Sequence, residues 1–327
     1  SSLLSMVFFQ VSLTCHVLIE QHNTSQTALV QLRLLSGHKG RIYCLRCAEI
    51  APNVELLFSG SADRTIRVWD PFVPDADRAG IQSLIGHNGT ITSIEFSQGT
   101  LLTASTDKTL RVWRRDDARG VALYPFFVCL QVVSDFGDWV LAVFVKLGDP
   151  TTIFLGDGRG VVSTYSATSS GRLKALRRQT IHDRGISDII VVPQENFVVT
   201  LSFDFTVQVH DAVNGTGFFA VENPNRCRYT GVAWDVKRQE LNLVDAMGYL
   251  QIWNVFLEKC LLVVGAPECI EVWRVQREVH SKECTGHSGA IVGMVYDHDR
   301  ILCSASLDNT VRCWNGAMVC IAVIHRS

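Results

Sequence analysis

Three side-chain types that together form hydrolytic active sites recur at fixed spacing along this 327-residue chain: a hydroxyl, an imidazole and a carboxylate. Each carboxylate lies four residues after a hydroxyl, and an imidazole lies upstream of the pair. The four sets are His38, Ser59 and Asp63; His87, Thr103 and Asp107; His182, Thr200 and Asp204; and His287, Ser304 and Asp308. A single set could supply the nucleophile, general base and orienting acid of an acyl-transfer enzyme.

The number of sets argues against catalysis. An acyl-transfer enzyme needs one such trio beside an oxyanion hole, whereas this chain carries four copies. Outside these sets the sequence offers no nucleophile–base pair, metal cluster or cofactor fingerprint. We therefore predict no catalytic residues, no metal, no cofactor and no small-molecule substrate, and we predict that the protein is not an enzyme.

The sets are parts of a longer sequence repeat. Residues 59–70 read SGSADRTIRVWD, and related stretches are TASTDKTLRVW at 103–113, SASLDNTVRCWN at 304–315 and the degenerate TLSFDFTVQVHD at 200–211. Apolar and polar residues alternate in the second half of each stretch, which predicts a half-buried strand. The Ser-Ala-Asp-Arg and Ser-Thr-Asp-Lys segments predict tight turns between two such strands. Because four short strands cannot bury both of their faces alone, the repeats must stack on one another.

These repeats resemble the WD-repeat family, in which a Gly-His precedes two strands and a third strand ends in Trp-Asp. The Gly-His pairs are Gly37-His38, Gly86-His87 and Gly286-His287, with Ile181-His182 as a relic. Near-complete copies at about 40–45 residues are a strong signal. The resemblance implies an all-β WD40 β-propeller built from four-stranded antiparallel blades.

The resemblance also implies a role for the recurring polar residues. Six residues after each carboxylate lies a ring: Trp69, Trp113, His210 or Trp314. In the family, an Asp–His–Ser/Thr–Trp hydrogen-bond chain holds each blade together. Such a chain gives each buried polar group a partner. We therefore expect the four sets and their rings to form a structural network.

The number of blades is open at this point. Positions equivalent to the Trp are Trp69, Trp113, Tyr165, His210, Trp253, Trp273 and Trp314, which favours seven blades. In that interpretation the strand Ala28–Leu35 closes the ring against the last three strands. Eight blades result if Thr14–Gln21 and Met318–Ile324 are also blade strands, with one inner strand hidden in the short step before Trp273. We assign residues 28–327 to the propeller and residues 1–27 to strands of a first or extra blade, or to the end of a preceding region.

WD-repeat propellers act, as a family, as interaction platforms, and the usual contact zone is the rim of the narrower face. Its residues come from the start of each inner strand and from the position before the turn Asp. Mapped onto this sequence they are Arg41, Thr90, Arg184 and Ala290, with Ala62, Thr106, Phe203 and Leu307. Phe203 is notable because the sister turns carry Ala, Thr or Leu there, and an aromatic at a turn tip can anchor a partner.

Two further motifs have simpler explanations than chemistry. Cys44 and Cys47 form a C-x-x-C pair inside a predicted strand, where residues three apart point to opposite faces, so we expect core packing. The glycine-rich Gly156–Gly160 lacks the G-K-[S/T] ending of a phosphate loop and precedes a strand, so we expect a turn.

Composition limits the partners. A net charge of −2 and 19% charged residues do not favour nucleic acid or an anionic membrane surface. Eleven cysteines without a framework suggest reduced thiols and a cytoplasmic protein. We predict other proteins of a multi-subunit complex as partners. Three short stretches are faintly similar to large axonemal WD-repeat proteins: Ile42–Arg46, Leu123–Phe127 and Glu271–Val275. This similarity suggests a ciliary, microtubule-associated role. The alternative is a substrate-receptor or signalling adaptor with a peptide-binding face.

Overall fold

The computed structural model describes residues 7–11, 16–22, 29–51, 54–71, 80–121, 124–148, 150–168, 170–264, 269–272, 282–285, 291–296, 302–306, 310–314 and 320–325. All regular elements in these ranges are β-strands apart from turns and bends, which confirms the all-β class. None of the described residues belongs to a helix with the length and apolar character of a membrane span.

The described strands form eight sheets, which we number in chain order. The first sheet contains β1 (Val7–Val11), β2 (His16–His22) and β3 (Leu29–Ser36). The second contains β4 (Ile42–Ala51), β5 (Val54–Ser61), β6 (Thr65–Trp69) and β7 (Gly80–Ile85). The third contains β8 (Ile91–Ser97), β9 (Thr100–Ser105), β10 (Leu110–Val121) and β11 (Tyr124–Val133). The fourth contains β12 (Val140–Lys146), β13 (Thr152–Asp157), β14 (Val161–Ala167) and β15 (Leu173–Thr180).

The fifth sheet contains β16 (Ile186–Val192), β17 (Phe197–Ser202), β18 (Thr206–Asp211) and β19 (Gly217–Glu222). The sixth contains β20 (Tyr229–Asp235), β21 (Glu240–Asp245), β22 (Leu250–Asn254) and β23 (Lys259–Val264). The seventh contains β24 (Cys269–Val272) and β25 (Lys282–Thr285), and the eighth contains β26 (Ile291–Tyr296), β27 (Leu302–Ser306), β28 (Thr310–Trp314) and β29 (Cys320–His325).

Six of these sheets are four-stranded, and in each of them chain neighbours are also sheet neighbours. Pairing is antiparallel in the second, third, fourth, sixth and eighth sheets. This confirms the expected four-stranded antiparallel units, which hairpin turns connect.

The first strand of the predicted propeller pairs differently from the seven-blade interpretation. Leu29–Ser36 lies beside β2 in the first sheet, and the eighth sheet already has its own outer strand, Cys320–His325. This pairing is the one assumed in the eight-blade alternative. The short step before Trp273 corresponds to the seventh sheet, of which the described residues form two strands. The number of blades stays a prediction.

The chain divides into two compact units, one ending at Pro193 and the other beginning at Gln194, with residues 22–29 assigned to the second unit. The expected domain limits at 28 and 327 stay predictions. Within the first unit, β4 contacts β8, β8 contacts β12 and β12 contacts β16.

The core of the first unit lies between successive sheets. Leu56, Leu57 and Phe58 on β5 are all fully buried, so both faces of this strand are covered. The ring of Phe58 stacks on Phe96 of the third sheet at 5.5 Å and meets the edge of Phe127 at 5.6 Å. Stacking of sheets therefore buries what a single sheet cannot, as the strand pattern predicted.

Strand register makes positions in different sheets directly comparable. The first residue of the inner strand pairs with the residue that opens the turn after the second strand: Ile42 with Ser61, Ile91 with Ser105, Val140 with Asp157 and Tyr229 with Asp245. In each turn, the carbonyl oxygen of the opening residue accepts a hydrogen bond from the backbone N–H of the residue three positions later. The donor residue has a positive φ in every case, and the four donors are Arg64, Lys108, Gly160 and Gly248. The turns are therefore equivalent in backbone, whatever their side chains.

Candidate protein-binding site

In the second sheet the four predicted network residues form one continuous chain. His38 Nδ1 lies 2.8 Å from Asp63 Oδ2, and His38 Nε2 lies 2.7 Å from Ser59 Oγ. Trp69 Nε1 donates to the same Ser59 oxygen at 2.8 Å. The third sheet repeats this geometry with His87, Asp107, Thr103 and Trp113, at 2.9, 2.8 and 2.9 Å.

One direction of donation satisfies every atom of the chain with a neutral imidazole. The indole donates to the hydroxyl oxygen, the hydroxyl donates to Nε2, and Nδ1–H donates to the carboxylate. This is also the direction in a hydrolase triad. Here, however, Ser59 and Thr103 are 0% exposed and the indole occupies a lone pair of each hydroxyl oxygen. A substrate carbonyl therefore cannot reach either oxygen.

The carboxylates also fix the turns that carry them. Asp63 Oδ1 accepts from Thr65 N at 3.0 Å and Thr65 Oγ1 at 2.6 Å, while Oδ2 accepts from Lys39 N at 2.8 Å. Burial alone would raise the pKa of Asp63, but these donors together with His38 lower it to about 2. The carboxylate is thus ionised when it binds the neutral imidazole.

The two imidazoles are expected to make the protein labile to mild acid. Burial lowers the pKa of His38 and His87 below the usual 6.5, despite the opposing effect of Asp63 and Asp107. A depressed pKa gives stability that is present above pH 6.5 and is lost as the pH falls below it, because the unfolded histidines take up protons first. The Asp63 contribution is lost lower, between about pH 4 and 2, as the unfolded and then the folded carboxyl is protonated.

Thermal unfolding between pH 7.5 and 5 measures this effect. We expect the melting temperature of the wild type to fall across the interval. The double variant His38→Gln/His87→Gln should melt lower at pH 7.5 but show a shallower decline. Parallel curves for the two proteins would contradict the assignment.

The other two predicted sets are placed less completely. His182 and His210 are buried, and Thr200 Oγ1 donates a hydrogen bond to Gln208 O at 3.3 Å. The Asp204 carboxylate accepts hydrogen bonds from the Thr206 N–H and hydroxyl, as the Asp63 carboxylate does from Thr65. His287 and Asp308 lie outside the described residues. Ser304 and Trp314 lie in β27 and β28, but their side chains are outside the described part.

The fourth sheet replaces the network with different residues. Phe136 takes the imidazole position, Leu155 the hydroxyl position, Arg159 the carboxylate position and Tyr165 the ring position. Tyr165 Oη donates to Asp135 Oδ1 at 2.9 Å, and its ring lies 6.2 Å from Phe136. Residues 157–160 form the turn that the sequence indicated within the glycine-rich stretch, and Gly156 pairs with Val162 as part of β13.

The sixth sheet contains a substitute polar chain that the repeat pattern missed. Trp253 Nε1 donates to Gln251 Oε1 at 3.1 Å, which also accepts from Tyr229 Oη at 3.0 Å. Nearby, Asn223 Nδ2 and Asn225 Nδ2 donate to Asp245 Oδ2 at 3.1 and 2.9 Å. A degenerate repeat has therefore exchanged its network for another one. The available signal was the Asp-x-x-Gly shared by residues 157–160 and 245–248.

The rim positions come together through backbone bonds. Ala62 N donates to Arg41 O at 2.8 Å, and Thr106 N donates to Thr90 O at 3.0 Å. The same bond joins Gly158 to Trp139, an exposed aromatic that the sequence mapping omitted although it directly precedes β12 as Arg41 precedes β4.

Other mapped rim residues fall as follows. Arg184 is exposed, but β16 begins at Ile186, so Gly185 occupies the position equivalent to Arg41 and the mapping is one residue early. Phe203 is half-buried at the turn before Asp204. Ala290 and Leu307 lie outside the described residues.

The two cysteines of the C-x-x-C pair face different clusters. Cys44 packs against the Phe58 cluster and Cys47 against the Leu57 cluster. Burial raises the pKa of the Cys44 thiol to about 12 and that of Cys47 to about 11, so both thiols stay protonated. Within the described residues, no group of three or more His, Cys, Asp or Glu is arranged to hold a metal ion.

Sequence comparison identifies the repeat. The WD domain, G-beta repeat family matches residues 29–70, 80–114 and 278–315. The chain is similar to Elongator complex protein 2 of Saccharomyces cerevisiae (23% identity, covering 80% of this chain and 26% of that protein). It is also similar to Cell division control protein 4 of the same yeast (23%, covering 87% and 29%) and, over 24% of the chain, to Nuclear distribution protein PAC1 of Candida tropicalis (33%, covering 16% of that protein).

The chain thus spans less than a third of each of these relatives. The three family matches contain three of the four repeat stretches, and the matches at 29–70 and 80–114 cover the two complete polar chains. The chain therefore contains WD repeats at these three sites, and its four-stranded antiparallel sheets are consistent with the blades of a WD40 β-propeller.

Proposed function

We propose that this protein is a non-catalytic protein–protein interaction scaffold and a subunit of a larger cytoplasmic assembly. WD-repeat propellers generally bind other proteins, and Elongator complex protein 2 is by name part of a complex. The observation that carries the proposal is the contrast between buried hydroxyls and exposed aromatics. Ser59 and Thr103 are inaccessible, whereas Tyr43 and Trp139 at the inner-strand starts are 54% and 53% exposed.

These aromatics have the properties of interface anchors. Trp, Tyr and Arg dominate binding hot spots. The Arg41 guanidinium lies 5.4 Å from the centre of the Tyr43 ring, and the backbone bonds to Ala62 and Gly158 hold the strand starts in place. A rigid rim with few large exposed rings binds without much loss of conformational entropy.

Affinity capture from native cells, quantified by mass spectrometry, tests the rim. We expect Tyr43→Ala/Trp139→Ala to reduce recovery of the principal partners at least tenfold, since truncation of a hot-spot ring costs about 2 kcal/mol or more. Leu257→Ala is the matched control, because Leu257 is 69% exposed in the β22–β23 turn, at the end of its sheet away from the Asp245 turn. Equal recovery with both variants would argue against a binding role for the rim.

The ciliary, microtubule-associated role is a finer proposal that rests only on the three short similarities in the sequence. Localisation of the tagged protein to the axoneme supports it, and finding a soluble monomer in cells that lack cilia contradicts it. The adaptor role is the second candidate. An open pocket in the fourth sheet favours this substrate-receptor or signalling-adaptor role.

A further inference from the structure

The fourth sheet has an open pocket of about 650 Å³ at one of its ends. This end is equivalent to the end of the second and third sheets at which each of them carries its histidine–carboxylate pair. The pocket lining includes Asp135, Phe136, Asp157, Arg159, Arg178 and Thr180. Two of these occupy the exchanged network positions, because Phe136 replaces the imidazole and Arg159 replaces the turn carboxylate. The pocket thus exists where this sheet lacks the usual network.

Asp157 at the pocket has one satisfied and one unsatisfied oxygen. Oδ1 accepts from Arg159 N at 2.9 Å and Val161 N at 3.0 Å, which holds the turn. Oδ2 is buried without a hydrogen-bond partner among the described residues, and the side chain is 2% exposed. Oδ2 forms an ion pair with the Arg178 guanidinium, whose Nη2 is 3.6 Å away, but this distance is beyond hydrogen-bond range. A buried acceptor left in this state costs free energy that a suitable donor would recover.

The sixth sheet shows which donor fits this position. Asp245 has the same register as Asp157, and its Oδ1 likewise accepts two turn N–H groups, from Met247 and Tyr249 at 2.9 Å. Its Oδ2, however, accepts from the carboxamides of Asn223 and Asn225. Asn225 precedes its inner strand by the same four residues as Phe136 precedes Val140. The sixth sheet therefore provides internally the donor that the fourth sheet lacks.

The charges around the pocket select a neutral ligand with both a donor and an acceptor. Asp157 would repel a carboxylate, and the exposed guanidinium groups of Arg159 and Arg178 would repel an ammonium group. Arg178 Nη1 donates to Asp135 O, which leaves Nη2 directed towards Asp157. Being exposed, the Arg178 side chain can move to admit a ligand.

We propose that this pocket binds the side-chain carboxamide of an Asn or Gln from a partner protein. The carboxamide N–H donates to Asp157 Oδ2, and its C=O accepts from the Arg178 guanidinium. This site deepens the proposed scaffold function and rests on it. It also defines a peptide-reading subsite that is separate from the rim positions Tyr43 and Trp139.

A peptide array tests the proposal, with the central residue fixed as Asn, Gln, Asp, Glu, Lys or Ala in otherwise mixed sequences. The wild type should retain Asn- and Gln-centred peptides at least tenfold better than the other four. Asp157→Asn keeps an Oδ1 for the turn but turns the second acceptor into a donor, so it should shift the preference to Asp and Glu. Asp245→Asn, whose position is already filled by two carboxamides, should leave the preference unchanged.

A wild type without central-residue preference overturns the pocket, as does an Asp157→Asn protein that keeps the wild-type preference. Should Asp157→Asn melt far below the wild type, Arg178→Ala at an exposed position replaces it, and an unchanged Asn/Gln preference then overturns the proposal. A wild type that prefers Asp and Glu shows an anion site instead and also overturns it. Capture through the rim is measured separately, so failure of the pocket leaves the scaffold function standing.

Discussion

Replacing Asp107 with Ala is expected to lower the free energy of unfolding by about 1–3 kcal/mol. The substitution removes the acceptor of His87 Nδ1 at 2.9 Å and of Asn88 N at 2.8 Å, and it also frees the Thr109 N–H and hydroxyl. The His87 side chain is completely buried, so water cannot replace the lost carboxylate without opening the structure. Chemical denaturation of the purified variant measures the loss.

Asp138→Ala is the matched control for this experiment. Asp138 is about one-third exposed, and its Oδ1 accepts from the adjacent Trp139 N–H and lies 4.0 Å from Lys108 Nζ. Its removal should cost less than about 0.5 kcal/mol, as is usual for surface positions. Equal losses for the two aspartates would show that the network adds nothing beyond a generic charge at a turn.

Gly160→Ala is expected to destabilise the protein by about 2–5 kcal/mol. Gly160 has φ of +76°, a left-handed conformation that costs an L-residue about 1–2 kcal/mol. A Cβ at this position would also overlap the His182 carbonyl oxygen and lie 2.7 Å from that of Arg184. Because these atoms are backbone, relief requires movement of the loop before β16, and overpacking of this kind adds about 1–3 kcal/mol.

Gly99→Ala separates the two causes. Gly99 has a similar φ of +74°, but among the described residues no atom beyond its two chain neighbours lies within 4 Å of its Cβ position. This variant should lose only the backbone contribution of about 1–2 kcal/mol. If both glycines gave the same loss in thermal unfolding, the close approach of the Gly160 turn to the His182 loop would not exist in solution.

Sequence reasoning succeeded where the repeat keeps its residue types. The second and third sheets carry His, Ser or Thr, Asp and Trp at the family positions, and the structure joins them through the same three bonds in both. The alternation also predicted strands at Ile66–Trp69 and from Leu110, because period-two burial is local information, but it did not predict that β10 continues to Val121.

The substitute networks could not be predicted in the same way. In the sixth sheet the partners of Asp245 come from Asn223 and Asn225, about twenty residues upstream and in a loop. Carboxamides have no fixed spacing in a repeat, and only the register of Tyr229 with Asp245 brings them to the carboxylate. The sequence showed only that the repeat residues are missing from the sixth sheet, whereas the structure shows that a different set of hydrogen bonds replaces their network.

The pairing partner of the strand Leu29–Ser36 and the exact rim positions also could not be predicted from the sequence. Leu29–Ser36 has the same alternation whether it pairs with β2 or with the last strands, because local pattern does not specify a distant partner. The Arg184 mapping failed by one residue because the start of β16, rather than the position of a charged residue, sets the rim position. Trp139 was missed because the repeat around it lacks the Gly-His signal.

The two parts of the molecule that matter for function are distinct in this account. Buried polar chains hold the turns and the strand starts, and the rings and pockets beside them remain accessible to other proteins. Substitutions in the chains should therefore reduce stability, whereas substitutions at Tyr43, Trp139 or Arg178 should reduce binding with little effect on folding.

The most direct test of the network is a double-mutant cycle between His87 and Asp107. The free energy of unfolding is measured for the wild type, His87→Ala, Asp107→Ala and the double variant. If imidazole and carboxylate form one structural unit, the double variant loses less than the sum of the single variants, by a coupling of about 0.5–3 kcal/mol. Losses that add to within about 0.3–0.5 kcal/mol would show that the two side chains act independently, and the structural explanation of the recurring sets would be wrong.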